Sequence, residues 1–344
     1  MPAKMQDVAR LAGVSTATVS RALNTPELVS TETHQRVMAA IHELDYKINL
    51  AARNLRTNRT GTLAIVIPTI ADPVINRAVE AVEDAAIEHG MTLLMCSTRG
   101  EAAREQAYIR LLTQQTVVDG VLYISPRAAP EDVLRLAHGD APLVLCNYVM
   151  DDARTPSVLV DHVSSIYQAT RHLLALGHRR IALLSLDAPY YTPARMRREG
   201  FERAFAEVDA APDPALIAEI HQPTYANDEW QATIRDLLDR ANPPTAVVAF
   251  NDEVALQVYA VCRERGIRIP HDLSVTGCDD SVSGRYVDPP LTTVRVPAYE
   301  LGQVAVRQLL RRIEQPRARL PRTTLLDVAL VTRGSCAALH DNLV

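Results

Sequence analysis

Arg21 is the residue of this 344-residue chain most suited to reading a base edge, because it shares one side of a short helix with Thr16, Ala17 and Ser20. The stretch Lys4 to Leu23, KMQDVARLAGVSTATVSRAL, sets Met5, Val8, Ala9 and Ala12 at helical spacing. Gly13 then supplies a turn, and Ser15 caps a second helix that carries Val19, Ala22 and Leu23 inward. With that face taken, Thr16, Ala17, Ser20 and Arg21 point out. A guanidinium there can donate to guanine O6 and N7, and the small side chains can meet neighbouring edges or a thymine methyl in a major groove. The alternative for the same pattern is a small helical bundle capping a larger domain, with Arg21 a solvated charge.

A second group of polar residues follows short β-branched runs: Asp72, Asp187 to Arg197, Asn251-Asp252, and Cys278-Asp279-Asp280. In parallel α/β sheets ligands bind outside the carboxyl ends of the strands. Carboxylates and an arginine converging there suit a small polyhydroxylated molecule, whose hydroxyls need both donors and acceptors. Taken singly, Asp72, Asp187 and Asp252 could equally cap the helices that follow. Catalysis is not expected: the chain has no glycine-rich phosphate loop, no HExxH, no GxSxG, and no metal-ligand spacing among its ten histidines. His178, just before a strand, reads as structural. Neither a metal nor a cofactor is expected.

These residues need elements to hold them. Two helices as short as those in the head cannot bury a core alone, and Ser30 followed by Val37, Ala40, Ile41 and Leu44 provides a third. Residues 49 to 60 are polar and basic with little to bury, and by composition form a solvated linker or a marginal helix. From Leu63 the pattern becomes one of βαβ units. Strands are predicted at Leu63 to Ile67, Thr92 to Cys96, Gly120 to Ile124, Leu143 to Cys146, Ile181 to Ser185, Ala246 to Phe250 and Leu273 to Gly277. Helices are predicted at Ile75 to Glu88, Glu101 to Thr113, Ser164 to Leu176, Arg195 to Val208, Asp228 to Arg240 and Glu253 to Arg265. Gly90, Gly177 and Gly266 stop three of them. The pattern runs twice, over roughly 62 to 160 and 161 to 289, which predicts two α/β lobes.

Length argues for a small module plus two domains of ordinary size. Residues 1 to 60 hold eight Lys/Arg against five Asp/Glu, +3; with totals of 36 and 41 the remainder holds 28 against 36, −8. A basic head on an acidic body suits contact with phosphates at one end only, and so modest a charge suggests use as a dimer. The five cysteines lie scattered without a CxxC pair and read as core thiols. No apolar run reaches the roughly 18 residues of a membrane span and no secretory signal opens the chain. The expected location is therefore the cytoplasm, in association with the nucleoid.

The run Val14 to Asn24, with Val29-Ser30, Thr33, Arg36-Val37 and Tyr46, resembles the DNA-binding headpiece of the LacI/GalR family of bacterial transcription regulators, and Ser15 to Leu23 is similar to the family's cytidine-type branch. The resemblance continues through Gly177-His178-Arg179, Pro289 to Thr293 and Arg333-Gly334-Ser335. It implies an N-terminal all-α helix-turn-helix headpiece with a hinge helix, followed by a two-lobed α/β periplasmic-binding-protein-like domain with parallel sheets. The implied boundaries are 1–47 for the headpiece and 48–61 for the hinge. The N-terminal lobe spans 62–160 plus about 291–322, and the C-terminal lobe 161–290 plus about 323–344.

By the same resemblance, DNA contacts fall on Ser15, Thr16, Ala17, Thr18, Ser20, Arg21 and Asn24, and on Asn49, Ala52, Arg53 and Leu55 of the hinge, with Leu55 placed to wedge into the minor groove. The implied effector contacts are Asp72, Arg197, Asn251 and Asp279, with Tyr225, Tyr148 and Tyr190 as candidate stacking aromatics. The chain differs from the family at several places. Asp45 and Ile48 stand where it usually has Gly and Pro, Lys4 where it has a threonine cap, Val74-Ile75 where it often has phenylalanines, and Cys278 where it has an aromatic. The implied function is that of a homodimeric regulator, a repressor, that binds a pseudo-palindromic operator under control of a sugar or nucleoside in the inter-lobe cleft. With no leucine heptads at the C-terminus, a dimer is expected over a tetramer. A plain solute-binding protein would leave the head unexplained, and an enzyme would lack its motifs.

Overall fold

A computed structural model describes residues 3–46, 59–114, 117–124, 129–150, 154–186, 192–220 and 229–339. It divides into two units, Met1–Thr60 and Gly61–Val344.

In the first unit, α1 (Met5–Ala12), α2 (Thr16–Asn24) and α3 (Thr31–Glu43) enclose Val8, Ala9, Ala12, Val19, Ala22, Val37 and Ala40, with Tyr46 closing the cluster. The predicted inward face is the buried one. Lys4 has no acceptor to cap α1, and Asp7 instead takes the Lys4 backbone N–H at 3.0 Å. Gly13 ends the helix at φ 65°, left-handed. A Cβ there would stand 2.7 Å from Arg36, whose guanidinium donates to the carbonyls of Ala12 and Gly13. Glycine is thus favoured by the left-handed backbone conformation, and a Cβ there would also displace the Arg36 guanidinium. Asp45, standing where the family usually has glycine, keeps the left-handed conformation at φ 43°.

The second unit holds two parallel sheets. In chain order its elements are β1 (Thr62–Ile67), α4 (Pro73–Glu88), β2 (Thr92–Ser97), α5 (Ala102–Gln114), β3 (Gly120–Ile124), α6 (Pro130–Ala137), β4 (Leu143–Cys146), β5 (Ser157–Val160), α7 (His162–Ala175), β6 (Ile181–Leu186), α8 (Thr192–Ala206), β7 (Ile217–Ile220), α9 (Glu229–Leu238), β8 (Ala246–Val248), α10 (Asp252–Arg265), β9 (Ser274–Thr276), α11 (Val282–Tyr286), β10 (Thr293–Arg295), α12 (Ala298–Glu314), β11 (Thr323–Leu326) and β12 (Ala329–Val331). The first sheet runs β11-β5-β4-β3-β1-β2 and the second β7-β6-β8-β9, all strands parallel within each. Strands β1, β3 and β4 are buried nearly throughout, as sheets covered on both faces demand.

Every predicted strand is present, though the two at 246–250 and 273–277 are shorter than predicted. The structure adds β5, β7 and the three short strands near the C-terminus. It also adds α6, α11 and α12. Ser157–Val160 is wholly buried but too short for periodicity to mark it. One boundary differs: the resemblance implies that the segment from about 323 belongs to the C-terminal lobe, whereas Thr323–Leu326 pairs with β5 and extends the first sheet. The reason is α12, which returns across that sheet among Leu301, Ala305 and Leu309 and delivers the chain to its far edge. The chain then crosses back as β12, antiparallel to β10, and reaches the second sheet, where the Val275 N–H donates to the Ser335 carbonyl.

Where α7 and α8 cross, a Cβ on Gly200 would lie 2.1 Å from the Val163 carbonyl oxygen. The close approach brings the first turn of α7 against the turn of α8 that carries Arg197.

Candidate DNA-reading face and effector cleft

On α2 the Ser15 hydroxyl accepts the Thr18 N–H at 3.1 Å and lies 2.9 Å from the Thr18 hydroxyl. Ser15 and Thr18 are therefore committed first to starting the helix. Thr16, Ala17 and Arg21 are exposed, while Ser20 is half-buried. Asn24 ends the helix. Arg21 has no ion-pair partner among the described residues, so its guanidinium is available to a base edge or phosphate. The four hinge residues Asn49, Ala52, Arg53 and Leu55 lie outside the described residues.

In the second unit three predicted residues, Asp72, Asn251 and Asp279, follow the ends of strands, and Arg197 lies within α8. Asp72 follows β1 and caps α4, its carboxylate accepting from the N–H groups of Val74 at 2.9 Å and Ile75 at 3.2 Å. Asn251 follows β8 and caps α10, accepting the Val254 N–H at 3.0 Å. The capping role considered for Asp252 thus belongs to Asn251. Asp252 is instead wholly buried and takes the Ser281 N–H at 2.6 Å and the Thr293 hydroxyl at 2.5 Å. Burial pushes its carboxyl up, and these two donors work against the rise.

Arg197 is 5% exposed, and its guanidinium lies 3.9 Å from the centroid of the Phe250 ring. Asp279, after β9, holds φ 138°, a conformation that costs a non-glycine residue energy and concentrates at functional sites. It keeps some open surface, yet burial pushes its carboxyl well above the ordinary range, and Asp72 and Asp252 add to the rise while Arg197 opposes it. Asp72, Asp279 and Arg197 therefore share one electrostatic environment. It offers carboxylate acceptors and guanidinium donors, the complement of a hydroxylated ligand.

Neighbouring Asp280 has a different task. Burial disfavours its charge, but Arg333, Arg295 at 2.8 Å and Arg285 at 3.1 Å outweigh that and hold its carboxyl below the usual range. These arginines come from α11, from β10 and from beyond β12, so Asp280 fastens the crossing segments beneath the Asp279 turn. The sequence placed Asp280 among the polar residues that follow a strand without separating it from Asp279, and it did not single out Phe250. The signal for Asp280 was only the doubled aspartate, and its three partners are 5, 15 and 53 residues away.

Tyr148 packs in the apolar cluster of the first sheet with Tyr123, Val133 and Met150, apart from the Arg197–Phe250 pair in its packing. Tyr190 and Tyr225 lie outside the described residues. Cys96, Cys146, Cys262 and Cys278 are buried free thiols, and no group of His, Cys, Asp and Glu suited to a metal ion occurs among the described residues.

Residues 4–49 match the family described as "Bacterial regulatory proteins, lacI family", and residues 170–336 match the periplasmic binding protein-like domain. The HTH-type transcriptional repressor CytR of Escherichia coli (strain K12) is 31% identical over 98% of this chain and 97% of its own. The ribose operon repressor of Haemophilus influenzae is 32% identical over 98% and 99%. Among solved structures, the lac repressor dimer bound to operator and the anti-inducer ONPF superposes with a TM-score of 0.84 at 26% identity, over 98% of this chain and 100% of that one. The complex of the transcriptional regulator CelR with cellobiose gives 0.73 at 29% identity, over 97% and 99%. With an exposed, correctly capped second helix in its head and a two-sheet body that agrees with these relatives along nearly its whole length, the chain belongs to the lacI family of bacterial regulatory proteins, DNA-binding regulators of transcription.

Proposed function

We propose that this regulator is a repressor that acts as a homodimer on a pseudo-palindromic operator, with Thr16, Ala17 and Arg21 reading base edges, and that a small neutral polyol, a sugar or nucleoside, controls it from the cleft of the second unit. The observation that carries the effector half is the Asp72, Asp279 and Arg197 group gathered at the carboxyl ends of strands from both sheets. The head's half is supported by the exposure of exactly those α2 side chains that the helix does not need for its core.

Dimerisation has support in apolar surface left uncovered. Leu94 and Met95 on the edge strand β2, and Val282 and Tyr286 on α11, are exposed. An uncovered strand edge with apolar side chains invites a partner. The ribose operon repressor and the CelR–cellobiose complex are relatives whose names join control of transcription to a sugar. Acting on DNA, the protein would work in the cytoplasm at the nucleoid. Leu55, as a minor-groove wedge, and Asn49, Ala52 and Arg53 beside it would complete the DNA contacts.

Ligand and operator would be coupled through lobe closure, since a ligand shifts an equilibrium only by its differential affinity for the two states. The test is fluorescence anisotropy of the full chain on DNA from upstream of its own gene, over a salt series, with and without D-ribose or ribonucleosides. Salt-sensitive, specific binding that one of these compounds shifts is expected. Binding no tighter than to random DNA would overturn the DNA half. Specific binding that no compound of either class shifts would overturn the effector half.

A further inference from the structure

His162 opens α7 at the carboxyl end of β5, immediately after Asp161, whose carboxylate accepts the Ser164 N–H at 2.8 Å and starts the helix. Its imidazole is 4% exposed. Neither ring nitrogen has a hydrogen-bond partner among the described residues. Buried polar atoms are nearly always satisfied, so a buried ring with both nitrogens unsatisfied needs an explanation.

The ring's surroundings supply one. The α7–α8 contact at Val163 and Gly200 sets His162 against the turn of Arg197. Ser165, one turn further along α7, donates its hydroxyl to the His162 carbonyl at 2.8 Å and lies close enough to the Cys278 thiol, next to Asp279, to act on it. The charge of Arg197 acts on both His162 and Asp279. His162 therefore stands within electrostatic reach of the same arginine that acts on Asp279.

Burial, with Arg197 adding to it, keeps the ring neutral by pushing its pKa well below the ordinary histidine value. A neutral imidazole presents one N–H donor and one bare nitrogen acceptor at fixed positions. A hydroxyl can serve either nitrogen. Adjacent hydroxyls of one ligand can also donate to the carboxyl oxygens of Asp72 and Asp279 while accepting from Arg197. A flat base alone fits less well, because the Phe250 face is already covered by the Arg197 guanidinium.

We infer that His162 is a specificity-determining effector contact that reads a vicinal diol, the chemistry shared by a free pentose and by the ribose of a nucleoside. This rests on the proposed effector cleft and names the group that cleft recognises.

The test is calorimetric titration of the full-length protein with D-ribose, uridine, 2′-deoxyuridine and uracil, for wild type, His162→Phe, His162→Gln and Arg197→Met. Wild type should bind ribose, uridine or both, and the response to each says which source of the diol is the effector. It should bind 2′-deoxyuridine and uracil weakly or not at all. His162→Phe keeps the ring volume and removes both nitrogens, so it should lose about tenfold to a hundredfold in affinity for the diol ligand. His162→Gln restores a donor and an acceptor and should recover part of that loss. Loss of a buried unsatisfied ring should leave the ligand-free melting temperature of His162→Phe no lower than that of wild type, which separates lost contact from lost fold.

If Arg197→Met abolishes binding while His162→Phe and His162→Gln bind as wild type does, the cleft stands and the role of His162 is overturned. Equal affinity of wild type for uridine and 2′-deoxyuridine overturns the diol. If Arg197→Met binds as wild type does, the cleft itself is refuted.

Discussion

The guanidinium of Arg197 lies 3.9 Å from the centroid of the Phe250 ring, so the cation proposed to meet the effector is held by an aromatic face on a different strand-helix unit. A buried cation over an aromatic ring is oriented by the ring quadrupole as well as by charge. Arg197→Lys keeps the charge but neither the plane nor the stacking, and the exchange is not conservative. The variant is expected to lose most of the thermal stabilisation that a saturating effector confers, about 2.7 kcal/mol at a hundredfold excess over the dissociation constant. Phe250→Leu should produce a smaller loss in the same thermal-shift titration.

Asp279 leads to a pH prediction with a definite sign. Its carboxyl is raised from the model-compound value of 3.8 by burial and by Asp72 and Asp252. Above 3.8 the unfolded chain gives up this proton while the folded chain still holds it, so this group's contribution to stability falls as pH rises through the window between the two values. Below the window both states are protonated and the penalty vanishes. Asp279→Asn should therefore stabilise the ligand-free protein, and more at about pH 7.5 than at about pH 4.5. Denaturant melts at the two values check this, and an equal gain at both would count against it.

In the head, Arg21→Ala is expected to weaken operator binding by about 1–3 kcal/mol and to relax preference at one base pair per half-site, with the fold unchanged. Competition with a panel of single-base operator variants reads the specificity directly. Uniform weakening across the panel would instead assign Arg21 to phosphate.

Gly13→Ala acts on the same reader through its fold. The substitution must adopt φ 65° and place a Cβ 2.7 Å from Arg36. A loss of about 1–2 kcal/mol in headpiece stability is expected, with a matching loss of DNA affinity where the head is no longer saturated with structure.

Gly200→Ala tests the joint that sets Arg197. Its Cβ would meet the Val163 carbonyl oxygen at 2.1 Å, and backbone cannot move aside as a flexible side chain can. Destabilisation of about 1–3 kcal/mol is expected, together with weakened effector binding, in the same thermal-shift titration.

What the sequence determined by itself was whatever local periodicity and turn chemistry carry. The three helices of the head, its outward residues Thr16, Ala17 and Arg21, and the long β-branched strands were legible because each element shows its buried face within its own dozen residues. The placement of Asp72, Asn251 and Asp279 after strands was legible because β-branched runs mark where strands end; the effector roles of these three and of Arg197 are what the family resemblance implies.

Only the tertiary structure decided how these residues divide their work. It showed that Asn251 caps α10 while Asp252 is spent on Ser281 and Thr293, and that Asp280 is consumed by three arginines drawn from across the final 60 residues. It carried Thr323–Leu326 to the first sheet and brought His162 to Arg197. Contacts of this kind join positions tens to more than a hundred residues apart. Their energies come from burial and from partners that no local window of sequence contains.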